Sequence, residues 1–164
     1  MELKKNGMTI QVDDAQVVDL VLERLSAKHS PRVINGNVVP RIGEAWPDQG
    51  GIYAGVMRGR DGAPDYHLIV GPESEEMTWD DAKTWARERE QDGHDDFTLP
   101  FRAEQALQFA NVPELFRKEY YWSSEQHADG SSSAWVQGVV NGSQVWSRQS
   151  DSYRARVVRR LDIR

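Results

Sequence analysis

The chain has 164 residues and a formal net charge of −6, with 38% hydrophobic and 28% charged residues. These values fit one globular domain with an appendage and exclude a disordered acidic chain. Cysteine is absent, which excludes disulfides, thiolate metal sites and thiol nucleophiles and favours a reducing compartment. No apolar run approaches the length of about 18 residues that a membrane span needs, and the N-terminus lacks a secretory apolar region. We therefore expect a cytoplasmic location.

Residues 1–45 are predicted to form a strand–helix extension followed by a connector. Met8 to Val12 has the composition of a short strand, and residues 13–28 predict a helix capped by Asp13 or Asp14. The helix carries an apolar stripe of valines and leucines, which makes it a candidate for homo-oligomerisation. Pro and Gly punctuate the segment that follows, so the predicted domains are residues 1–45 and residues 46–164.

The middle of the chain predicts a hairpin and two helices. Two β-rich runs flank a turn at residues 60–63. Residues 77–90 predict a helix with Thr78 as N-cap and Asp81 three residues later as its capping partner. A second helix is expected after Leu99 and Pro100. Its predicted inward residues are Ala103, Ala106, Leu107 and Ala110.

The last third predicts a β-hairpin and a final strand. "SAWVQGVV" and "SQVWSRQ" are joined by Asn141 and Gly142, the pair most typical of a two-residue hairpin turn. That turn predicts Val140 opposite Ser143 and Val136 opposite Ser147. One face is then small and aliphatic. The other face holds Trp135, Gln137 and Val139 against Gln144, Trp146 and Arg148.

The indole-rich face of this hairpin is the best candidate binding surface. Tryptophan beside arginine and glutamine gives a large contact area at little entropic cost. The predicted contact residues are Trp135, Gln137, Gln144, Trp146 and Arg148, supported by Tyr120, Tyr121 and Trp122. The alternative is that one indole fills the core and the other is covered by a loop or by the N-terminal helix.

No catalytic, metal-binding or cofactor-binding residues are predicted. His94, Asp95 and Asp96 are consecutive, so they point in alternating directions and cannot chelate as a unit. The serines near Trp122 lie in no nucleophile elbow. The protein is therefore predicted not to be an enzyme. A hydrolase remains an alternative only if a site assembles in three dimensions around His94 and His127.

Nucleic acid is not the expected partner, because the chain is acidic and only its C-terminus, "YRARVVRRLDIR", concentrates arginines. These arginines are interpreted as solvated side chains of a terminal strand rather than as a phosphate patch.

The ordered motifs "GGIYAGVM", "TWDDAKTWARE", "DDFTLPFRAEQ", "YYWSSEQ", "SAWVQGVVNGSQ" and "RARVVRRL" resemble a bacterial and phage C-type-lectin-like family of unknown function. Domains of this type also occur at the C-terminus of a collagen-like bacterial adhesin. The resemblance covers residues 50–161. It implies an α+β, C-type lectin-like fold with two helices packed on small antiparallel sheets. The family usually places Thr or Ser where this chain has Phe101, so the cap of the second helix must come from elsewhere. The calcium motifs of sugar-binding animal lectins are absent, so a calcium-independent function is expected.

These features predict a non-enzymatic, protein-binding module encoded by a phage or prophage. Its partner is expected to be a host protein, such as a defence factor that it inhibits. The alternative is a virion-associated assembly or host-attachment protein that oligomerises through the N-terminal helix.

Overall fold

The computed structural model describes residues 2–5, 8–11, 32–34, 37–128, 130 and 132–163. The chain divides into two compact units, Met1–Val39 and Pro40–Arg164. The sequence had placed this boundary near residue 45. The helix predicted over residues 13–28, and with it the oligomerisation hypothesis, lies outside the described residues.

The first unit contains two antiparallel strand pairs. Strands β1 (Glu2–Lys5) and β2 (Met8–Gln11) form one pair. Strands β3 (Arg32–Ile34) and β4 (Asn37–Val39) form the other. The strand predicted from Met8 is therefore present.

The larger sheet of the second unit has four antiparallel strands in the order β11-β7-β6-β5. Their bounds are β5 Ala45–Trp46, β6 Gly51–Met57, β7 Tyr66–Glu73 and β11 Arg156–Asp162. The predicted turn between β6 and β7 is confirmed, since the Ala63 N–H donates to the Arg60 carbonyl at 2.9 Å. Asp61 and Gly62 supply the positive φ angles in this turn.

The smaller sheet carries the candidate surface. It has three strands, β8 (Tyr120–Gln126), β9 (Ser133–Gly138) and β10 (Gln144–Arg148), in the order β10-β9-β8. Because β9 is central and β10 is at the edge, side chains of β10 are more exposed than those of β9.

The predicted hairpin register between β9 and β10 is wrong by two residues. The observed pairs are Gln144 with Gln137 and Trp146 with Trp135. The connection spans residues 139–143. A two-residue turn of the expected type needs a positive φ at both central residues, but Asn141 has none and only Gly142 does, at 74°. Because the register differs by an even number of residues, Trp135, Gln137, Gln144, Trp146 and Arg148 still lie on one face, as predicted.

Helix α1 (Trp79–Arg87) forms as predicted. The Thr78 hydroxyl accepts from the Asp81 N–H and donates to the Asp81 carboxylate at 2.7 Å. Trp79, Ala82 and Ala86 are buried on its inner face. The helix is thus attached to the small sheet, because the Trp79 indole donates to the Ser123 carbonyl of β8 at 2.8 Å.

Helix α2 (Arg102–Asn111) has a different inner face from the one predicted, although the predicted Leu107 is partly buried against the second core cluster. Ala103, Ala106 and Ala110 are exposed, and the buried residues are Glu104, Gln105 and Gln108. Partners on other strands satisfy the Glu104 carboxylate and the amide nitrogen of Gln105. The Gln105 amide, for example, donates to the carbonyls of Tyr121 and Trp122.

The N-cap residue of α2 is Phe101, whose side chain makes no capping hydrogen bond, so carboxylates of other residues bind the first N–H groups of this helix. The Phe101 N–H donates to the Glu104 carboxylate at 2.7 Å. The Arg102 N–H donates to Glu125 of β8 at 3.3 Å. Two carboxylates therefore stabilise the positive end of this helix.

The arginines of the C-terminal segment are not the solvated side chains that the sequence predicted. Each of the four that the structure describes forms an ion pair with a carboxylate from a distant segment. The pairs are Arg154 with Glu119, Arg156 with Glu73, Arg159 with Asp96 and Arg160 with Glu104. Their charges are neutralised within the fold, so they form neither a phosphate patch nor a free cationic face.

The second unit is thus α+β, with two described helices and antiparallel sheets. One buried cluster lies among α1, the small sheet and β11, and a second lies under the four-stranded sheet. Within the described ranges, no helix has the length and apolarity to cross a membrane.

Candidate functional site

The candidate site is one face of the β9–β10 hairpin, which we name the aromatic–polar face. It comprises Trp135, Gln137, Gln144, Trp146 and Arg148. Cross-strand pairing places Trp146 opposite Trp135 and Gln144 opposite Gln137. The structure therefore brings all five predicted contact residues to one side of the small sheet.

The two indoles form the exposed end of this face. Trp146 is 57% exposed, whereas Trp135 is half-buried. The His127 ring packs against both, with ring centroids 5.1 Å from Trp135 and 5.5 Å from Trp146. Trp146 neither fills the core nor is covered by another segment among the described residues, because more than half of its side chain is exposed to solvent.

Arg102 holds this end in place from the first residue of α2. Its guanidinium lies 3.5 Å from the centroid of the Trp135 ring, a cation–π contact. Its Nε donates to the Gln144 side-chain oxygen at 3.3 Å. The Gln144 amide in turn donates to the Arg102 carbonyl at 2.7 Å and to the Gln137 side-chain oxygen at 2.8 Å. These contacts fix the positions of a cation and an indole on this face.

The other end of the face is covered by α2. Gln137 is 3% exposed, so it supports Gln144 and does not itself meet solvent. A recess there, with room for roughly one water molecule, is lined by Gln105, Gln108 and aromatic rings. In the part of the chain that the structure describes, Gln105 Oε1 and Gln108 Nε2 are buried without a hydrogen-bond partner.

Tyr121 and Trp122, two of the predicted supporting residues, are buried. Tyr121 lies under α2, and its hydroxyl hydrogen-bonds the Glu73 carboxylate. The Trp122 indole donates to the Met77 carbonyl at 2.8 Å. Both residues connect the small sheet to neighbouring segments and cannot touch a partner in this conformation.

Tyr120, the third supporting residue, lies on the opposite face of the sheet. It is 41% exposed, and its ring centroid is 5.8 Å from that of Tyr153. Val145 of β10 is on the same side and is 42% exposed. The outer strand of the hairpin, β10, therefore has Trp146 and Arg148 on one side and the exposed Val145 on the other.

A second cluster of ionisable side chains surrounds Glu104, which is itself fully buried. Its carboxylate binds Arg160 through both oxygens, at 2.6 and 2.8 Å, and accepts from the Tyr66 hydroxyl at 2.6 Å. Burial and the hydrogen bond to this carboxylate raise the pKa of Tyr66 to about 12. Every polar atom of the Glu104 carboxylate is engaged, so the cluster ties α2 to the large sheet.

The histidines that could have supported a hydrolase have separate roles. His94 bonds the Asp48 carbonyl at 2.7 Å, whereas His127 packs against the two indoles. Over the residues described, no group of three or more His, Asp or Glu side chains is arranged to hold a metal ion.

Sequence reasoning missed Arg102 and His127, whose side chains contact residues of the aromatic–polar face. Arg102 lies on a helix more than thirty positions before Trp135, and no local pattern links the two. One feature of the sequence could have drawn attention to Arg102. A cation at the first position of a helix is disfavoured by the helix dipole, so an interaction with another group is needed to offset this cost. Comparison of the chain with known protein families and with curated proteins finds no match.

Proposed function

We propose that the Pro40–Arg164 unit is a non-enzymatic protein-binding module with a C-type-lectin-like fold. It binds a host protein through the aromatic–polar face, without calcium. It is encoded by a phage or prophage and acts in the host cytoplasm, where inhibition of a defence factor is the role we assign to it.

The observation that carries this proposal is the exposure of Trp146 beside a preorganised cation. An indole that is 57% exposed leaves a large apolar area in contact with water, which association with a partner would remove. Trp and Arg are also the residues that most often dominate interface energies. Because Arg102 and Trp135 are already fixed, little side-chain entropy is lost on binding.

The lectin-like fold is supported by the motif resemblance and by the arrangement of two helices on small antiparallel sheets. The proposal of a cytoplasmic host partner rests on the acidic composition and the absence of cysteine.

The test is affinity capture from host lysate with the wild-type chain and with the double variant Trp146→Ala, Arg148→Ala. We expect the double variant to lose its partner, because truncation of a central interface Trp costs about 2 kcal/mol or more, roughly thirtyfold in affinity. Both positions are exposed on an edge strand, so thermal unfolding should stay near the wild-type value.

The matched control is Val56→Ala, Arg58→Ala, which removes an exposed apolar side chain of β6 and the exposed arginine that follows this strand. It should retain the partner. Equal capture by the two double variants, with both folded, would remove the aromatic–polar face from consideration.

A further inference from the structure

Among the residues that the structure describes, strand β10 pairs on one side only, with β9. The Gly138 N–H donates to the Ser143 carbonyl, and the Gln149 N–H donates to the Ser132 carbonyl, both at 2.8 Å. Antiparallel pairing alternates between inward-facing and outward-facing backbone groups. The backbone groups of Val145 and Ser147 therefore face β9, and those of the even-numbered residues of β10 face away from the sheet.

The outward backbone groups are satisfied at only one end of β10. At Arg148 the N–H donates to the Asp151 carboxylate at 3.1 Å, and the carbonyl accepts from the Asp151 N–H at 2.9 Å. Within the described ranges, the outward N–H and carbonyl groups of Gln144 and Trp146 have no protein partner. Proteins usually protect such an edge with proline, a bulge, lysine or a covering segment. The sequence "QVWSR" of β10 has one charged side chain, Arg148, which lies at the end of the strand that Asp151 already closes.

The two sides of this edge differ in chemistry. Trp146 and Arg148 project on one side, with the Arg102 guanidinium behind them on Trp135. Val145 is exposed on the other side. Side chains of an added strand alternate in the same way. A complementary strand therefore has carboxylates on the first side and apolar side chains on the second.

We propose that β10 receives an extended, acidic and amphipathic segment of the partner as an additional strand of the small sheet. The segment hydrogen-bonds to the outward backbone groups of Gln144 and Trp146 and places its carboxylates beside Arg148 and Arg102. This inference rests on the proposed function, because it specifies how the aromatic–polar face engages its partner.

A second copy of the chain is a poorer occupant of this edge. Two β10 strands paired antiparallel about Trp146 would set Arg148 opposite Gln144 and Val145 opposite Ser147. No carboxylate of β10 would then face Arg148, whereas an acidic segment supplies one. Charge complementarity favours the acidic segment.

The direct test uses NMR of the ¹⁵N-labelled full chain with a capped eight-residue peptide of alternating valine and glutamate. We expect the largest amide shifts at Gln144 and Trp146, and no such shifts with a matched peptide of alternating valine and lysine. Absence of binding by the acidic peptide, or largest shifts outside β10, would overturn the proposal.

Two variants at one position separate the backbone contribution from the side chain. Trp146→Val removes the indole and keeps the outward N–H, whereas Trp146→Pro removes both. Proline is tolerated here because this N–H does not bond β9. We expect Trp146→Pro to bind the acidic peptide about tenfold more weakly than Trp146→Val, because a backbone hydrogen bond is lost and the edge is blocked. Equal affinities would overturn strand addition.

The same variants distinguish this inference from the proposed function. If lysate capture is abolished in Trp146→Ala, Arg148→Ala but is equal in Trp146→Pro and Trp146→Val, the face binds without strand addition and only this inference fails. If the double alanine variant still captures the partner, the proposed function fails. Light scattering that shows a dimer, converted to a monomer by Trp146→Pro, would assign the edge to a second copy and overturn the acidic partner.

Discussion

Glu73 is the residue at which three segments of the second unit meet. Its carboxylate accepts from the Tyr121 hydroxyl and from Arg117 Nε at 3.0 Å, and it pairs with Arg156. Burial by itself would raise the pKa of Glu73, but the hydrogen bonds and the nearby arginines outweigh burial and lower it. Burial and the same carboxylate raise the pKa of Tyr121. The ionised form of Glu73 is therefore the one that the fold stabilises.

This direction predicts how stability depends on pH. A carboxylate whose pKa is lowered by folding stabilises the protein above its ordinary pKa, about 4.5, and this contribution is lost as pH falls through the lower, folded value. We expect Glu73→Gln to cost about 1–3 kcal/mol at pH 7 and clearly less at pH 3. Urea unfolding at both pH values measures the difference. Exposed Glu76→Gln is the control and should change stability by less than about 0.5 kcal/mol at either pH. A Glu73→Gln cost that does not depend on pH would contradict the prediction.

The β9–β10 hairpin shows how an element is set by contacts beyond its turn. A Cβ at Gly142 would lie 2.6 Å from Cε1 of Phe109, a residue of α2. Gly142 also has a φ of 74°, and the Gly142 N–H donates to the Gly138 carbonyl at 3.0 Å. The five-residue connection thus packs against α2. The observed register of β9 and β10 occurs together with this packing, and it differs from the register that a two-residue turn would give.

The contribution of that packing can be separated from the backbone strain. Gly142→Ala combines a positive φ with a clash against Phe109. Gly62→Ala has a similar φ of 84° and nothing within 4 Å. We expect Gly142→Ala to be more destabilising than Gly62→Ala by about 1–3 kcal/mol, the usual cost of overpacking. Denaturant unfolding of both variants gives the comparison, and equal losses would show that Phe109 does not constrain the loop.

At the scale of the whole molecule, the Pro40–Arg164 unit has its own buried clusters and sheets. Its first short strand, β5, contributes Trp46, which is 8% exposed. The Trp46 ring makes edge-on contacts with Tyr53 and His67, with centroids 5.2 and 5.1 Å away. A boundary after residue 45 therefore lies inside β5 of this unit, while a boundary after Val39 preserves it.

Truncation tests this division. A chain beginning at Pro40 should fold cooperatively and retain the dispersed NMR spectrum of the second unit. A chain beginning at Pro47 lacks β5 and Trp46 and should be less stable by about 3–5 kcal/mol, the usual cost of removing a buried Trp. Equal stability of the two chains would contradict the contribution of β5.

The elements whose signals are local could be predicted from sequence. The β6–β7 hairpin, α1 with its Thr78 cap, and the sharing of a face by Trp135 and Trp146 all follow from periodicity or short-range hydrogen bonding. Such signals involve residues close together in the chain, so they survive without knowledge of the fold. The five predicted contact residues reached one face for this reason, even though their register was displaced.

Only the tertiary structure decided which polar groups would be buried and which edge would remain unpaired. The inner face of α2 is polar because Glu104 meets Arg160 from a strand far along the chain. The C-terminal arginines are neutralised by carboxylates that no spacing connects to them. Burial of a charge is stable only when its partner is present, and that partner is set by how distant strands and helices pack. The sequence by itself therefore determined the elements and the aromatic–polar composition of the hairpin, and long-range packing determined which of its residues face solvent.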